Sequence, residues 1–209
     1  MDKPRTGILD YQGFLEPCQN CLEDQLLVHL QEKLPYFFRA AYVKMTCRPT
    51  DIVRVRYHAF EYLYDHYPEL QPNQAPLPDS KIEPRLVAVL GCSSPQKTKR
   101  DDYRLKGWVG ATEKFFGPQW DKGHFIAHSI GGAVDGTEIN VFIQKRSLNR
   151  GWSDEGRRFR EMERYCAMNP GTFCFSRPVY LDQTAKPDLV EFGVLKDHRH
   201  LWVESFDNR

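Results

Sequence analysis

The chain has 209 residues, is 41% hydrophobic and 27% charged, and carries a formal net charge of +1, which indicates neither disorder nor a fibrous repeat and excludes a bulk polycation. A chain of this length buries a sizeable core without staples, and any nucleic-acid surface on it must be a local patch of cations. No run approaches the roughly 18 apolar residues of a membrane span. The polar start MDKPRTGILDYQGF lacks the apolar stretch of a secretory signal. The expected location is therefore cytoplasmic with no membrane partner, and delivery to other cells without a cleaved signal is left open.

Residues 1–20 read as an irregular lead-in. From Leu22 to Lys33, Leu22, Leu26, Leu27 and Leu30 recur at helical spacing until Pro35 interrupts the pattern. Thr50 to Tyr67 also reads as a helix, with Ile52, Val55, Tyr57, Phe60, Leu63 and Tyr64 on its apolar face and Pro68 as its stop. The segment 68–84 is dense in Pro and polar residues and reads as a linker. The expected division is an N-terminal helical region over 1–84 and a second domain over 85–209.

After the linker, Arg85–Gly91 is a short apolar run suited to a buried strand, and Ser93–Arg104 is a polar loop. Strand-like pieces follow at Phe125–Ile126 and Ile139–Ile143. Ser153–Met168 reads as a helix with Ser153 as its cap, Asp154 and Glu155 in the first turn, and Asn169-Pro170-Gly171 as terminator. Strands are expected at Thr172–Tyr180, Leu189–Leu195 and Leu201–Phe206. The fold class is α+β, helices first and antiparallel strands last.

Of the six cysteines, Cys18 and Cys21 form a CxxC, half of a common zinc site. His29 and Cys47 are loose candidates to complete it. The absence of an export signal favours reduced thiols.

One stretch carries chemistry: Asp121 to Trp152, DKGHFIAHSIGGAVDGTEINVFIQKRSLNRGW, directly followed by the capped helix. Phosphodiester hydrolysis needs a general base for water and positive charge for the developing phosphorane. Histidine suits the first because its pKa lies near neutrality. A hard cation suits the second, and one amide oxygen can be its only protein ligand if water and phosphate supply the rest.

The ordered set DKGH, the Gly131-Gly132 pair, Asn140-x-x-x-Gln144, Asn149-Arg-Gly-Trp and a following helix resembles the DNA/RNA non-specific endonucleases. These are ββα-metal, or His-Me finger, nucleases of the DRGH type, and the toxin-like branch is the nearer match. The resemblance covers residues 105–209 and implies a ββα-metal core with an antiparallel sheet. It implies His124 as general base, Asn149 as ligand of one Mg²⁺ or Mn²⁺, and Asn140 as a catalytic-site brace holding the loop or the imidazole. Gln144 and Asp121 would give structural support. Glu163, preferred over Glu155 and Glu161, would serve the metal and the chemistry. Lys122 stands where the family has Arg, which turns a bidentate phosphate clamp into a point charge.

The implied activity is metal-dependent cleavage of DNA or RNA with little sequence preference, in a toxin or defence effector. The expected partners are nucleic acid and an inhibitor or immunity protein, with a homodimer left open. Lys122, Arg150, Arg157 and Arg160 are the expected nucleic-acid contacts. His128 is expected to pack rather than to bind metal. Trp108, Trp120 and Trp152 flank the motif; core packing is the favoured reading and base stacking the alternative. Two other classes fit parts of the sequence. One is a cysteine hydrolase using Cys92 with His124. The other is a catalytically silent nuclease-fold module that binds nucleic acid or a protein.

Overall fold

The computed structural model describes residues 7–18, 23–47, 51–66, 85–94, 116–133, 138–182 and 184–209. The fold is α+β. Strands β1 (Asp51–Tyr57), β2 (Phe60–His66), β3 (Arg85–Cys92), β6 (Phe173–Val179), β7 (Leu189–Lys196) and β8 (His200–Asp207) form one sheet in that spatial order. All its neighbouring pairs are antiparallel. A separate hairpin pairs β4 (Trp120–His124) with β5 (Val141–Lys145). Helix α3 (Arg146–Asn149) follows β5 without a break, and α4 (Asp154–Met168) follows α3.

Each face of the sheet supports its own core. On one, Phe159, Met162 and Cys166 of α4 pack with Phe125 and Phe142 of the hairpin region and with Val190, Phe192 and Phe206 of the sheet. On the other lies helix α2 (Glu23–Thr46), burying Leu26, Leu30, Leu34, Phe38 and Tyr42 against Val87, Leu90, Phe173 and Phe175. Strand β3 lies between the two layers, which is why its run RLVAVL is buried without alternation.

The N-terminal half departs from the sequence expectations in three ways. First, α2 runs through Pro35 and continues to Thr46. A proline inside a helix costs about 3 kcal/mol. The apolar stripe Leu26-Leu30-Leu34-Phe38-Tyr42 is buried on both sides of it, and each such side chain stabilises by about 1.5–3 kcal/mol, so burial wins. Second, 51–66 is a β-hairpin and not a helix. Its turn needs one left-handed residue, His58 at φ 52°. Gly91 leaves room for that turn on β3, because a Cβ there would lie 2.2 Å from the Ala59 carbonyl oxygen. The chain on both sides of 67–84 therefore contributes strands to one sheet. The linker itself lies outside the described residues.

Third, part of the lead-in is ordered. Helix α1 (Tyr11–Leu15) is capped by Asp10, whose carboxylate accepts from Gly13 N at 3.0 Å. Glu191 of β7 holds this segment to the sheet. Its carboxylate accepts from Tyr11 Oη at 2.5 Å, from Leu9 N at 3.3 Å and from Arg177 Nε at 2.6 Å. Arg177 also donates to the Gly7 carbonyl.

No helix among the described residues is long and apolar enough to cross a membrane. The five described cysteines, Cys18, Cys47, Cys92, Cys166 and Cys174, are unbridged. Cys18 lies in the 3-10 turn ahead of α2, and Cys47 directly follows the last residue of that helix. Cys21 lies outside the described residues.

The Arg177–Glu191 pair is almost wholly enclosed, with side chains 3% and 1% exposed. Removing one partner leaves the other charge buried and alone. Glu191→Ala is expected to lower unfolding free energy by about 3–5 kcal/mol in a urea titration. A loss below about 1 kcal/mol would show that the pair does not anchor the N-terminal segment.

Candidate functional site

The residues singled out by sequence gather on the hairpin and on α3. Strand β4 carries Asp121, Lys122, Gly123 and His124, which pair with Gln144, Ile143, Phe142 and Val141 of β5. Ahead of β5, Asn140 is fully buried and spends its amide on the loop between the strands. Its Nδ2 donates to the Ile126 carbonyl at 2.8 Å and the Ala133 carbonyl at 2.9 Å, and its Oδ1 accepts from Ile126 N at 3.0 Å. With all three bonds made to backbone, Asn140 is placed to shape the loop that follows His124 and not to touch a reacting atom.

Gly123 and Gln144 fit together by size. A Cβ on Gly123 would lie 2.0 Å from Gln144 Oε1, so only glycine allows this buried amide to lie across the strand. Gly132 plays a similar part: a Cβ there would lie 1.9 Å from the Ile126 carbonyl oxygen. These two close approaches account for two glycines of the motif without any chemistry.

Asp121 is the centre of the polar arrangement. Its carboxylate accepts from Arg146 Nε at 2.9 Å, from Arg150 Nε at 2.7 Å and Nη2 at 3.1 Å, and from Asn149 Nδ2 at 3.2 Å. Burial alone would raise the Asp121 carboxyl pKa, but the hydrogen bonds from Arg150, Asn149 and Arg146 outweigh it and hold it below the ordinary carboxylate range. Because the Asn149 nitrogen is turned to Asp121, the amide oxygen is the atom left for a cation. One carboxylate thus fixes the orientation of the expected ligand.

Among the expected cation contacts, Arg150 has its fork on Asp121 and its guanidinium carbon 5.2 Å from the centre of the Trp152 ring. Arg157 is exposed and paired with Asp154 one turn away. Arg160 lies along Gly151, its Cδ 2.7 Å from where a Cβ would be. Lys122 is half-buried, and burial lowers its ammonium pKa. Two further cations belong here, of which Lys186 was missed by sequence. Arg146 is tied to Asp121, and Lys186 lies 4.4 Å over the Trp120 ring. Asn208 was missed as well. It fastens the hairpin to the main sheet by accepting from Lys145 N at 2.7 Å and donating to the carbonyls of Ile143 and Pro187 at 2.9 and 2.7 Å. A single asparagine near the chain end carries no sequence signal for that role.

Glu163 lies on α4. Its electrostatic neighbours are Arg160, one turn before it on α4, and the buried Cys174 of β6. Burial pushes its carboxyl up to about 7 against the opposing pull of Arg160. The competing Glu155 and Glu161 also lie on α4, whose Ser153 cap accepts from Gly156 N at 3.0 Å as expected. His128 sits in a 3-10 turn after β4, packed near α4. Trp108 lies outside the described residues. Trp120 is half-buried as the packing reading requires, but Trp152 is 63% exposed, which overturns that reading for it.

Among the described residues no group of three His, Cys, Asp or Glu side chains comes together to hold a metal. A hard cation needs no such group: an amide oxygen such as that of Asn149 could hold one, with water and phosphate oxygens completing its shell. Cys92 does not suit a nucleophile: burial raises its thiol pKa, and its recorded polar neighbour is Gln31 of α2, with Nε2 3.8 Å from the sulfur.

No family model matches the chain, and no curated protein matches it. Among solved structures it is similar to the Sda1 nuclease determined with a bound zinc ion, at 18% identity and a TM-score of 0.38, over 72% of this chain and 69% of that one.

The raised Glu163 value has a consequence for stability. The folded protein binds this proton up to about pH 7, whereas an ordinary glutamate releases it near 4.5. Stability from this group is thus fully present below the lower value and is lost as pH rises through the upper one. In EDTA, wild type should lose stability between about pH 4.5 and 7 relative to Glu163→Gln, which removes the titration. Parallel pH profiles for the two proteins in urea unfolding would contradict the buried carboxyl.

Proposed function

We propose that this protein is a divalent-metal-dependent endonuclease of the ββα-metal, or His-Me finger, kind, hydrolysing DNA or RNA phosphodiester bonds with little sequence preference. The observation that carries the reading is the Asp121 carboxylate. It turns the Asn149 amide so that Oδ1 is free, and it does so from the strand that ends in His124.

In this reading His124 takes the proton from the attacking water, near neutral pH, as the water adds to phosphorus in line with the leaving 3′ oxygen. A Mg²⁺ or Mn²⁺ ion on Asn149 would supply positive charge for the phosphorane and the leaving oxygen. Asn140 and Gln144 keep the loop and strand around His124 in shape. Arg146 and Arg150, both held by Asp121, would offer guanidinium groups to phosphate. Glu163, one turn after Arg160 on α4, would accept hydrogen bonds from metal-bound water or ligate the metal directly. By resemblance the products carry 5′ phosphates. Such an activity in a toxin or defence effector would need restraint by an inhibitor or immunity protein, and its producing compartment would be the cytoplasm.

The test is cleavage of plasmid DNA and of RNA with Mg²⁺, Mn²⁺ or EDTA, using wild type, His124→Ala and Asn149→Ala. Wild type should cut only with metal, and each variant should lose about 10²-fold or more while keeping its circular dichroism spectrum. A wild type inert with every divalent ion, or a His124→Ala that cuts as well as wild type, would remove this mechanism. A silent nucleic-acid-binding module would then take its place.

A further inference from the structure

Large aromatic side chains are usually covered, so an exposed tryptophan that the fold holds still next to a candidate phosphate site calls for a reason. Trp152 is 63% exposed. It follows Asn149 by three residues, in the bend between α3 and α4. That bend is tightly fixed. Gly151 N and Trp152 N donate to the carbonyls of Leu148 and Ser147 at 3.2 and 2.9 Å. Gly151 takes φ 70°, and Arg160 lies where its side chain would be.

The ring has a fixed neighbour too. The Arg150 guanidinium lies over it, and that guanidinium is itself held by two hydrogen bonds to Asp121. Trp120, at the other end of the site, is different: it is half-buried under Lys186. An indole placed in this way presents a flat apolar surface at small further cost in side-chain entropy. Its position beside Asn149 puts that surface within reach of a nucleotide neighbouring a phosphate bound there.

A paired base within a duplex has its faces covered by its neighbours, and an unpaired base does not. We propose that Trp152 is a stacking platform for an unpaired nucleobase of the substrate, so that the site prefers single-stranded nucleic acid over duplex. This rests on the nuclease reading above for what is done to the strand, but the binding itself can be measured without cleavage.

The experiment uses fluorescence anisotropy of a labelled single-stranded oligonucleotide, about 15 nucleotides long, and of its duplex, with the full chain in EDTA at fixed salt. Wild type, Trp152→Leu and Trp152→Phe are compared. Stacking contributes about 1–3 kcal/mol per base, so the leucine variant should weaken single-strand binding about 5- to 150-fold and the phenylalanine variant much less. Duplex binding should change by less than about twofold in either variant, since phosphate contacts are kept. Equal single-strand affinity for wild type and leucine variant overturns the proposal and leaves Trp152 as a surface for a protein partner. Equal losses on single strand and duplex also overturn it, and point to displacement of Arg150. A protein that shows the stacking pattern but cuts nothing with any metal keeps this proposal and loses the nuclease reading. A protein that cuts, with leucine variant and wild type binding alike, does the reverse.

Discussion

One carboxylate holds the two halves of the candidate site together. Asp121 belongs to β4, and three of its donors, on Arg146, Asn149 and Arg150, belong to α3 and its end. Without that bond α3 would still follow β5 along the chain, but nothing polar would fix the turn of its last residue. An asparagine amide has two ends, and only one suits a cation. The negative charge of Asp121 selects the end, because a carboxylate accepts only from the nitrogen. The two arginines matter in turn because they keep Asp121 ionised in a partly buried place, where burial alone would favour its neutral form.

The hairpin that carries this cluster is small, and two paired strands alone are marginal in water. Its stability is borrowed from the main sheet. Phe125 and Phe142 stack at 4.3 Å between ring centres, inside the core that α4 shares with β7 and β8. Asn208 adds a polar fastening at the opposite edge of the hairpin. The far face of the sheet is closed by α2, so the strands beneath the hairpin are buried on both sides. The N-terminal region therefore contributes to the site indirectly, as the second layer that makes the supporting sheet rigid.

Where local chemistry decided the outcome, sequence reading sufficed. Ser153 capping α4, the strands after Thr172 and the apolar run of β3 all carry their signals within a few residues. The β1–β2 hairpin did not. Its turn is His58-Ala59 instead of the Asn-Gly or Asp-Gly that marks tight hairpins, and its apolar residues also match helical spacing. What selects strands there is pairing with β3, a contact across the long 67–84 segment that no local window contains. The site divides in the same way. The motif residues that share β4, β5 and α3 could be grouped from sequence, whereas Lys186 and Asn208 are brought to them by tertiary packing. Asn140, expected to hold the loop or the imidazole, spends its buried amide on the backbone of the loop after His124.

The electrostatics of the cluster also explain how a chain of nearly neutral charge can present a surface to phosphate. Arg146 and Arg150 both pair with the Asp121 carboxylate, which gathers two guanidinium groups at one place on the surface of a nearly neutral chain. A free arginine on the surface would be as positive, but binding would have to order its long side chain. Here Asp121 has already ordered both guanidinium groups as part of folding. Pairing a cation with an acid is usually taken to remove it from ligand recognition. In this arrangement the pairing sets the position of each cation. That argument depends on where the cations are held and not on the net charge of the chain, so a formal charge of +1 does not count against the proposed nucleic-acid substrate.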